Sequence, residues 1–282
     1  MAYDALGCQR SFEIQMKIEI LLATMFFEKE QESLLASMNP QCDLVVGNQS
    51  DYNLNESFLY NGHNVTVLTR PDRGVGRNRN LSLNHANADI ILFADNDVKY
   101  YDGYSGKIEA FYNRHPDADV VIFNYKEKRG DEPLHDINTL DKIAGLRDIT
   151  KFGAWAVSAK RESILRKNIQ FSLHFGGGAQ YGCGEDSLFL AECYRKKLNI
   201  YLCSETLGEV IHRDSTWFTG ITDKYVFDKG ALFKAMCPKI WRIAILRHVW
   251  KHRGLYRAYG SFNCVRKQMY AGAKDYAKTC ME

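Results

Sequence analysis

The sequence predicts an α/β protein, a Rossmann-like, mostly parallel sheet flanked by helices, followed by a C-terminal helical segment rich in basic residues. Three observations carry this. Short, continuously apolar runs recur at Ile18 to Ala23, Cys42 to Val46 and Ala88 to Ala94, the pattern of strands buried on both faces. Helical or polar stretches with short connections separate them, as right-handed crossovers in a parallel sheet require. The 282 residues, 45% hydrophobic and 25% charged, suffice for one large core and argue against extensive disorder.

Along the chain, residues 1–16 read as an irregular lead-in, and Ile18 to Ala23 as the first strand, closing at Thr24. Lys29 to Met38 has helical spacing, with Leu34, Leu35 and Met38 on one side. Cys42 to Val46 is a second strand, followed by Gly47-Asn48-Gln49, and Val65 to Leu68 is a third, with a helix expected between them. Arg73-Gly74-Val75-Gly76 is a turn signal opening a polar helix through about Ala86. A helix through Ile108 to Tyr112 precedes a buried strand at Val120 to Phe123. Lys126 to Asp148 is charged and irregular, a long surface loop or flap. Ala154 to Ala159 is a strand carrying Trp155, which either stacks on a sugar ring or packs in the core. Ile200 to Cys203 and Gly208 to His212 are two further short strands.

Chemistry concentrates at two stretches. The strand Ala88 to Ala94 runs into Asp95-Asn96-Asp97. Carboxylates at alternate positions leave a strand towards the same side. Oxygen donors of this kind suit Mg²⁺ or Mn²⁺, which can hold the phosphates of a nucleotide. Carboxyl ends of strands are also where open α/β sheets bind ligands. The same three residues are good turn formers, so a plain turn is the competing reading. The second stretch is Phe175 to Glu192, FGGGAQYGCGEDSLFLAE. Its glycines, Gly177 and Gly178 among them, permit close backbone approach to a ligand. Glu185-Asp186 then opens an apolar helix, where acidic residues are also favoured by the helix dipole, so a capping role competes with a chemical one.

Asn78-Arg79-Asn80 before the buried strand, Asp95-Asn96-Asp97 at its end, and Gly184-Glu185-Asp186 about ninety residues later resemble the motifs of glycosyltransferase family 2, of the GT-A fold. The resemblance covers about Ile18 to Arg253. From His212 to Gly230 it is similar to a subgroup acting in bacterial surface polysaccharide assembly. It implies an inverting transfer of sugar from a nucleotide-sugar donor to a saccharide or lipid-linked acceptor, with Mn²⁺ or Mg²⁺ as cofactor. Asp186 would be the general base, with Glu185 as the other candidate. Thr24, Asn48, Gln49, Arg79, Asp95 and Asn96 would line the donor, and Trp155, Gly177 and Gly178 the acceptor. Asp97 and Asp95 would hold the metal. His212 would add a metal or pyrophosphate contact, or serve as a structural histidine. One departure is clear: the family usually ends its second strand in an Asp pair that contacts the nucleoside, and this chain has Asn48-Gln49. A catalytically silent scaffold and a metal-dependent nucleotidyltransferase are the rivals. The latter would need a glycine-rich phosphate loop after the first strand, where Thr24-Met25-Phe26-Phe27 stands.

The catalytic domain is expected over residues 17–221, with a donor half to about 125 and an acceptor half from about 126, and a basic segment over residues 222–282. From Lys229 to Lys274 there are eleven Lys or Arg and no Asp or Glu, interleaved with Trp241, Trp250, Tyr256 and Tyr259. This fits a helix lying on an anionic membrane, and equally a basic nucleic-acid surface or a helix packed on the domain; the membrane is the reading adopted, with no nucleic acid as partner. The eight scattered cysteines form no Cys-x-x-Cys pair, which fits a reducing compartment and argues against a zinc site. No signal-peptide pattern and no run of about 20 apolar residues is present. A cytoplasmic protein, or one peripheral on the inner face of the plasma membrane, is expected.

Overall fold

The computed structural model describes residues 15–129, 132–133, 138–211 and 220–279. Its centre is four parallel strands in the order β4-β2-β1-β5, namely His63–Arg70, Asp43–Gln49, Ile18–Met25 and Ile90–Asp95. β1 and β5 are apolar along nearly their whole length and buried on both faces. Helix α1 (Gln31–Met38) makes the crossover from β1 to β2, burying Leu34, Leu35 and Met38.

Between β2 and β4 the expected helix is replaced by an edge strand, β3 (Leu54–Tyr60), antiparallel to β4. The physical reason is the connecting Asn61-Gly62, both at positive φ (49° and 83°), the two-residue turn whose twist matches a hairpin. Helix α2 (Val75–His85) follows the glycine turn and leads into β5. Short β6 (Val98–Tyr100) and helix α3 (Tyr104–Arg114) come next.

Antiparallel additions extend the sheet beyond β5: β10 (Val157–Lys160), β7 (Val120–Arg129), β11 (Ile200–Ile211) and β6, with β7 and β11 parallel to each other. Short β8 (Glu132–Pro133) pairs with β7 and short β9 (Lys142–Ile143) with β11, so the expected loop from Lys126 contains strand structure. β11 is one strand rather than two. Register shifts between Leu202 and Gly208 interrupt its apolar pattern at Ser204 to Thr206. Trp155 falls in a single 3₁₀ turn before β10, not in the strand. Helices α4 (Arg161–Arg166) and α5 (Glu185–Arg195) complete the layers.

Aromatic packing sets the position of α5. Phe93 of β5 meets Phe171 and Phe189 edge-on, at 5.1 and 5.4 Å, and the latter two rings stack at 4.2 Å. Fully burying such a side chain contributes about 1.5–3 kcal/mol, so the start of α5 is firmly tied to the sheet. The C-terminal residues form three helices, α6 (Asp223–Met236), α7 (Trp241–Lys251) and α8 (Phe262–Thr279). Val226, Trp241, Ile245, Val249, Tyr256, Val265, Met269 and Ala273 make their shared core. Helices α6 and α8 cross in backbone contact. A Cβ on Gly230 would collide with the Met269 carbonyl, and one on Gly272 with that of Phe227.

Candidate active site

The carboxyl ends of β1, β2 and β5 share one level. Thr24 pairs with Asn48, and the neighbouring Ala23 with Asp95. The sheet order reverses at β1, with β2 on one side and β5 on the other. That is the crevice where open α/β sheets take ligands.

Helix α2 is pinned over this crevice by buried polar side chains, which is why a mostly polar helix lies inside the protein. Asn78 Nδ2 donates to the carbonyls of Gly47 (2.7 Å) and Thr24 (3.2 Å). Gly47 is needed there because a Cβ would strike the Asn78 amide. Asn80 donates to the Phe171 carbonyl (2.9 Å) and accepts from its N–H (2.8 Å). Gln49 Oε1 accepts from the Gly74 N–H (2.9 Å), fixing the turn in which Gly74 takes φ 121°.

Arg79 joins the two halves of the site. Its side chain is 3% exposed and its guanidinium lies 5.2 Å from the Phe171 ring centre. Nη2 donates to Asp95 Oδ1 at 2.8 Å, while Nη1 donates to Asp186 Oδ1 at 2.6 Å and to Glu185 Oε1 at 3.3 Å. The end of β5 and the start of α5, 90 residues apart, thus meet on one cation. Burial works against the charge on Arg79, but the three carboxylates outweigh it and hold the guanidinium firmly protonated. Burial pushes the Asp186 carboxyl up to about 7. Arg79 opposes this, while Glu185 and Asp95 add to it. An ordinary aspartate pKa near 3.9, the expectation from sequence, therefore does not describe Asp186.

Asn48 is buried with its amide engaged by protein. Oδ1 accepts from the Phe27 N–H (2.9 Å), and Nδ2 donates to Glu28 (3.0 Å) and Thr69 Oγ1 (3.1 Å). Glu28, which no sequence pattern singles out, also accepts from Ser50 Oγ (2.7 Å). Burial alone would raise the Glu28 carboxyl, but the bonds from Ser50 and Asn48 outweigh it and hold the group below the usual range. Asn96 is exposed and Asp97 half-buried at the turn into β6. The Ile211 N–H donates to the Asp97 carbonyl (2.9 Å), so the strand leading to residue 212 runs beside it. His212 itself lies outside the described residues.

Among the described residues no three His, Cys, Asp or Glu side chains converge into a metal cage. Binding of the Mg²⁺ type uses one or two carboxylates and completes its shell with phosphates and water. Asp95 gives one oxygen to Arg79, and the carboxylates of Asp95 and Asp97 are the donor type that a hard divalent cation takes.

On the other side, the Gly177 carbonyl accepts from the Val75 N–H (2.9 Å), tying the glycine-rich loop to the start of α2. Gly176 and Gly178 sit at φ 104° and 79°, where side chains are strained, and a Cβ on Gly176 would press on Val75 and Glu185. Trp155 is half-buried against the main core, edge-on to Tyr125 at 5.3 Å. The far side of the loop is held by the C-terminal helices. Asp228 Oδ2 accepts from the Gly182 N–H (2.7 Å) and from Lys224 Nζ (2.8 Å), which also donates to the Gln180 carbonyl (2.8 Å). Tyr181 Oη donates to Asp275 at 2.9 Å. Helices α6 and α8 are thereby a wall of the loop that precedes α5. Sequence reading misses this role; its one signal is a lone Asp on the buried side of α6.

A parallel α/β sheet with carboxylates at its strand ends, bridged to a second acidic motif across a glycine-rich loop, is the GT-A arrangement. The sequence model of glycosyl transferase family 2 matches residues 33–179, just over half of the chain, and the protein belongs to that family. Among solved structures, S. aureus TarS 1-349 in complex with UDP-GlcNAc superposes with a TM-score of 0.66 at 17% identity. The match covers 93% of this chain and 80% of that one. A UDP complex of the same TarS fragment matches at 0.60 and 15%, covering 94% and 92%. The mannosyltransferase PcManGT from Pyrobaculum calidifontis, in complex with GDP-Man and Mn²⁺, matches at 0.50 and 11%, covering 94% and 88%. These identities speak to the fold alone. No curated protein matches the sequence.

Proposed function

We propose that this glycosyltransferase moves a sugar, with inversion, from a nucleotide-diphosphate sugar to a hydroxyl of a saccharide or lipid-linked oligosaccharide in bacterial surface polysaccharide synthesis. The observation that carries the reading is Arg79, which brings the Asp95 motif and the Glu185-Asp186 motif onto one buried cation at the strand ends. A UDP-sugar is the first donor to test, because TarS is solved with UDP-GlcNAc and with UDP.

In this reading Asp186 accepts the proton of the acceptor hydroxyl, whose oxygen forms the new bond to the anomeric carbon as the bond to the diphosphate breaks. Glu185 is the alternative base. Thr24, Gln49 and Asp95 line the donor crevice, and the loop around Gly177 and Gly178 the acceptor side. Mn²⁺ or Mg²⁺ held by Asp97 and Asp95 would neutralise charge on the diphosphate. The basic C-terminal segment contacts an anionic membrane, which makes the protein peripheral on the cytoplasmic face.

A thermal-shift panel of nucleotide sugars with and without Mn²⁺ tests this reading. A ligand that binds only the folded state raises stability by RT ln(1 + [L]/Kd), so the true donor should raise Tm most, and more with metal. A flat response to every nucleotide sugar, with metal present, counts against it.

A further inference from the structure

Among the described residues, α7, the middle of the three C-terminal helices, packs on the bundle through one side. Trp241, Ile245 and Val249 turn one face into the bundle core. The opposite face carries Ile240, Ile243, Leu246 and Trp250 into solvent, with Ile243 67% and Trp250 66% exposed. At 3.6 residues per turn, positions 243, 246 and 250 fall on one stripe, with the N-cap Ile240 at its start, so α7 has a second apolar face that packs on no other described element. Arg242 and Arg247 flank that stripe, Lys239 precedes it and Lys251 and Arg253 close it, and no acidic residue occurs from Lys229 to Lys274. Arg253 lies 5.5 Å from the Trp250 ring centre. A protein partner would ordinarily supply carboxylates in fixed places. A bilayer supplies a diffuse negative surface and an apolar layer beneath it, which this mixture of aliphatic, tryptophan and cationic side chains matches.

We infer that the solvent face of α7 is the element that docks on an anionic lipid bilayer, Ile243 and Trp250 entering the acyl boundary while Arg242, Arg247 and Lys251 meet headgroup phosphates. This rests on the membrane contact proposed above and names its surface. It also bears on the acceptor. The bundle that carries α7 also holds the glycine-rich loop through Asp228, Lys224 and Asp275, so the docking helix and the proposed acceptor loop are parts of one packed unit.

The test is co-sedimentation with vesicles of phosphatidylglycerol and phosphatidylcholine in equal parts, against pure phosphatidylcholine. The expected result is binding to the anionic vesicles only, weakened as salt rises, with a blue shift of tryptophan emission. The double variant Ile243→Asp, Trp250→Asp should lose at least ten-fold in vesicle affinity while keeping the wild-type thermal shift with UDP and Mn²⁺. If the wild type binds no vesicle, the membrane contact itself is wrong. Should the wild type bind and the folded double variant bind equally well, the α7 assignment is overturned and the membrane contact stands. Equal binding to neutral and anionic vesicles overturns the cationic part of the inference.

Discussion

Asp186 and Arg79 are legible in the sequence as site candidates, but their mutual contact is not, because nothing in a linear pattern shows that the second turn of α2 faces the first turn of α5. The contact changes what each residue can be asked to do. A base must be unprotonated to work, and burial lifts the Asp186 carboxyl of the ligand-free protein towards neutrality, so kcat/KM should rise with pH through about 7. Asp186→Asn should lower kcat by about 10² to 10⁴ and remove that limb, with donor affinity nearly constant. If it keeps full turnover and Glu185→Gln loses it, the base is Glu185. The same shift acts on stability with the opposite sign. A carboxyl raised in the folded state binds its proton more tightly there than in the unfolded chain, so ligand-free stability should fall as pH rises from about 4 to about 7. Arg79→Met leaves three carboxylates facing one another without their cation and should cost about 3–5 kcal/mol in urea unfolding at neutral pH, partly recovered in acid.

Elements with one strong periodicity are read correctly from sequence, and those shaped by a turn or an irregular register are not. β1, β2 and β5 announce themselves as apolar runs. β3 is an exposed edge strand with little apolar alternation, so its only usable signal is the Asn61-Gly62 turn. β11 looks like two strands because its register shifts break the pattern at Ser204 to Thr206. The crossing of α6 and α8 is likewise invisible until both helices are placed, since Gly230 and Gly272 are 42 residues apart. Gly230→Ala or Gly272→Ala puts a methyl group where a carbonyl of the partner helix lies. Each should destabilise by about 1–3 kcal/mol or more, read as a lower urea midpoint. Ala at Gly254, where a Cβ would meet nothing within 4 Å, is the control and should leave the midpoint within about 0.5 kcal/mol.

At the scale of the whole molecule, the glycine-rich loop is a seam between three parts: the start of α2 through Gly177, α5 through the backbone it feeds, and the C-terminal helices through Asp228 and Asp275. Asp228→Ala should therefore disturb a region far from it in sequence. The expected effect is a higher KM for the acceptor with donor Kd within about two-fold, and Asp228→Asn should restore part of it. Asp97→Ala, in contrast, should abolish the Mn²⁺ enhancement of UDP binding in a folded protein; unchanged enhancement removes Asp97 from the metal. The three carboxylates gathered on Arg79 also make the site's proton count a reporter of what occupies it. A diphosphate arriving without metal adds negative charge beside a carboxyl already half-inclined to hold a proton, so binding should draw protons from the buffer at neutral pH. A divalent cation arriving with it works the other way. Calorimetric titrations of UDP in two buffers of different ionisation enthalpy should give heats that diverge without Mn²⁺ and converge with it.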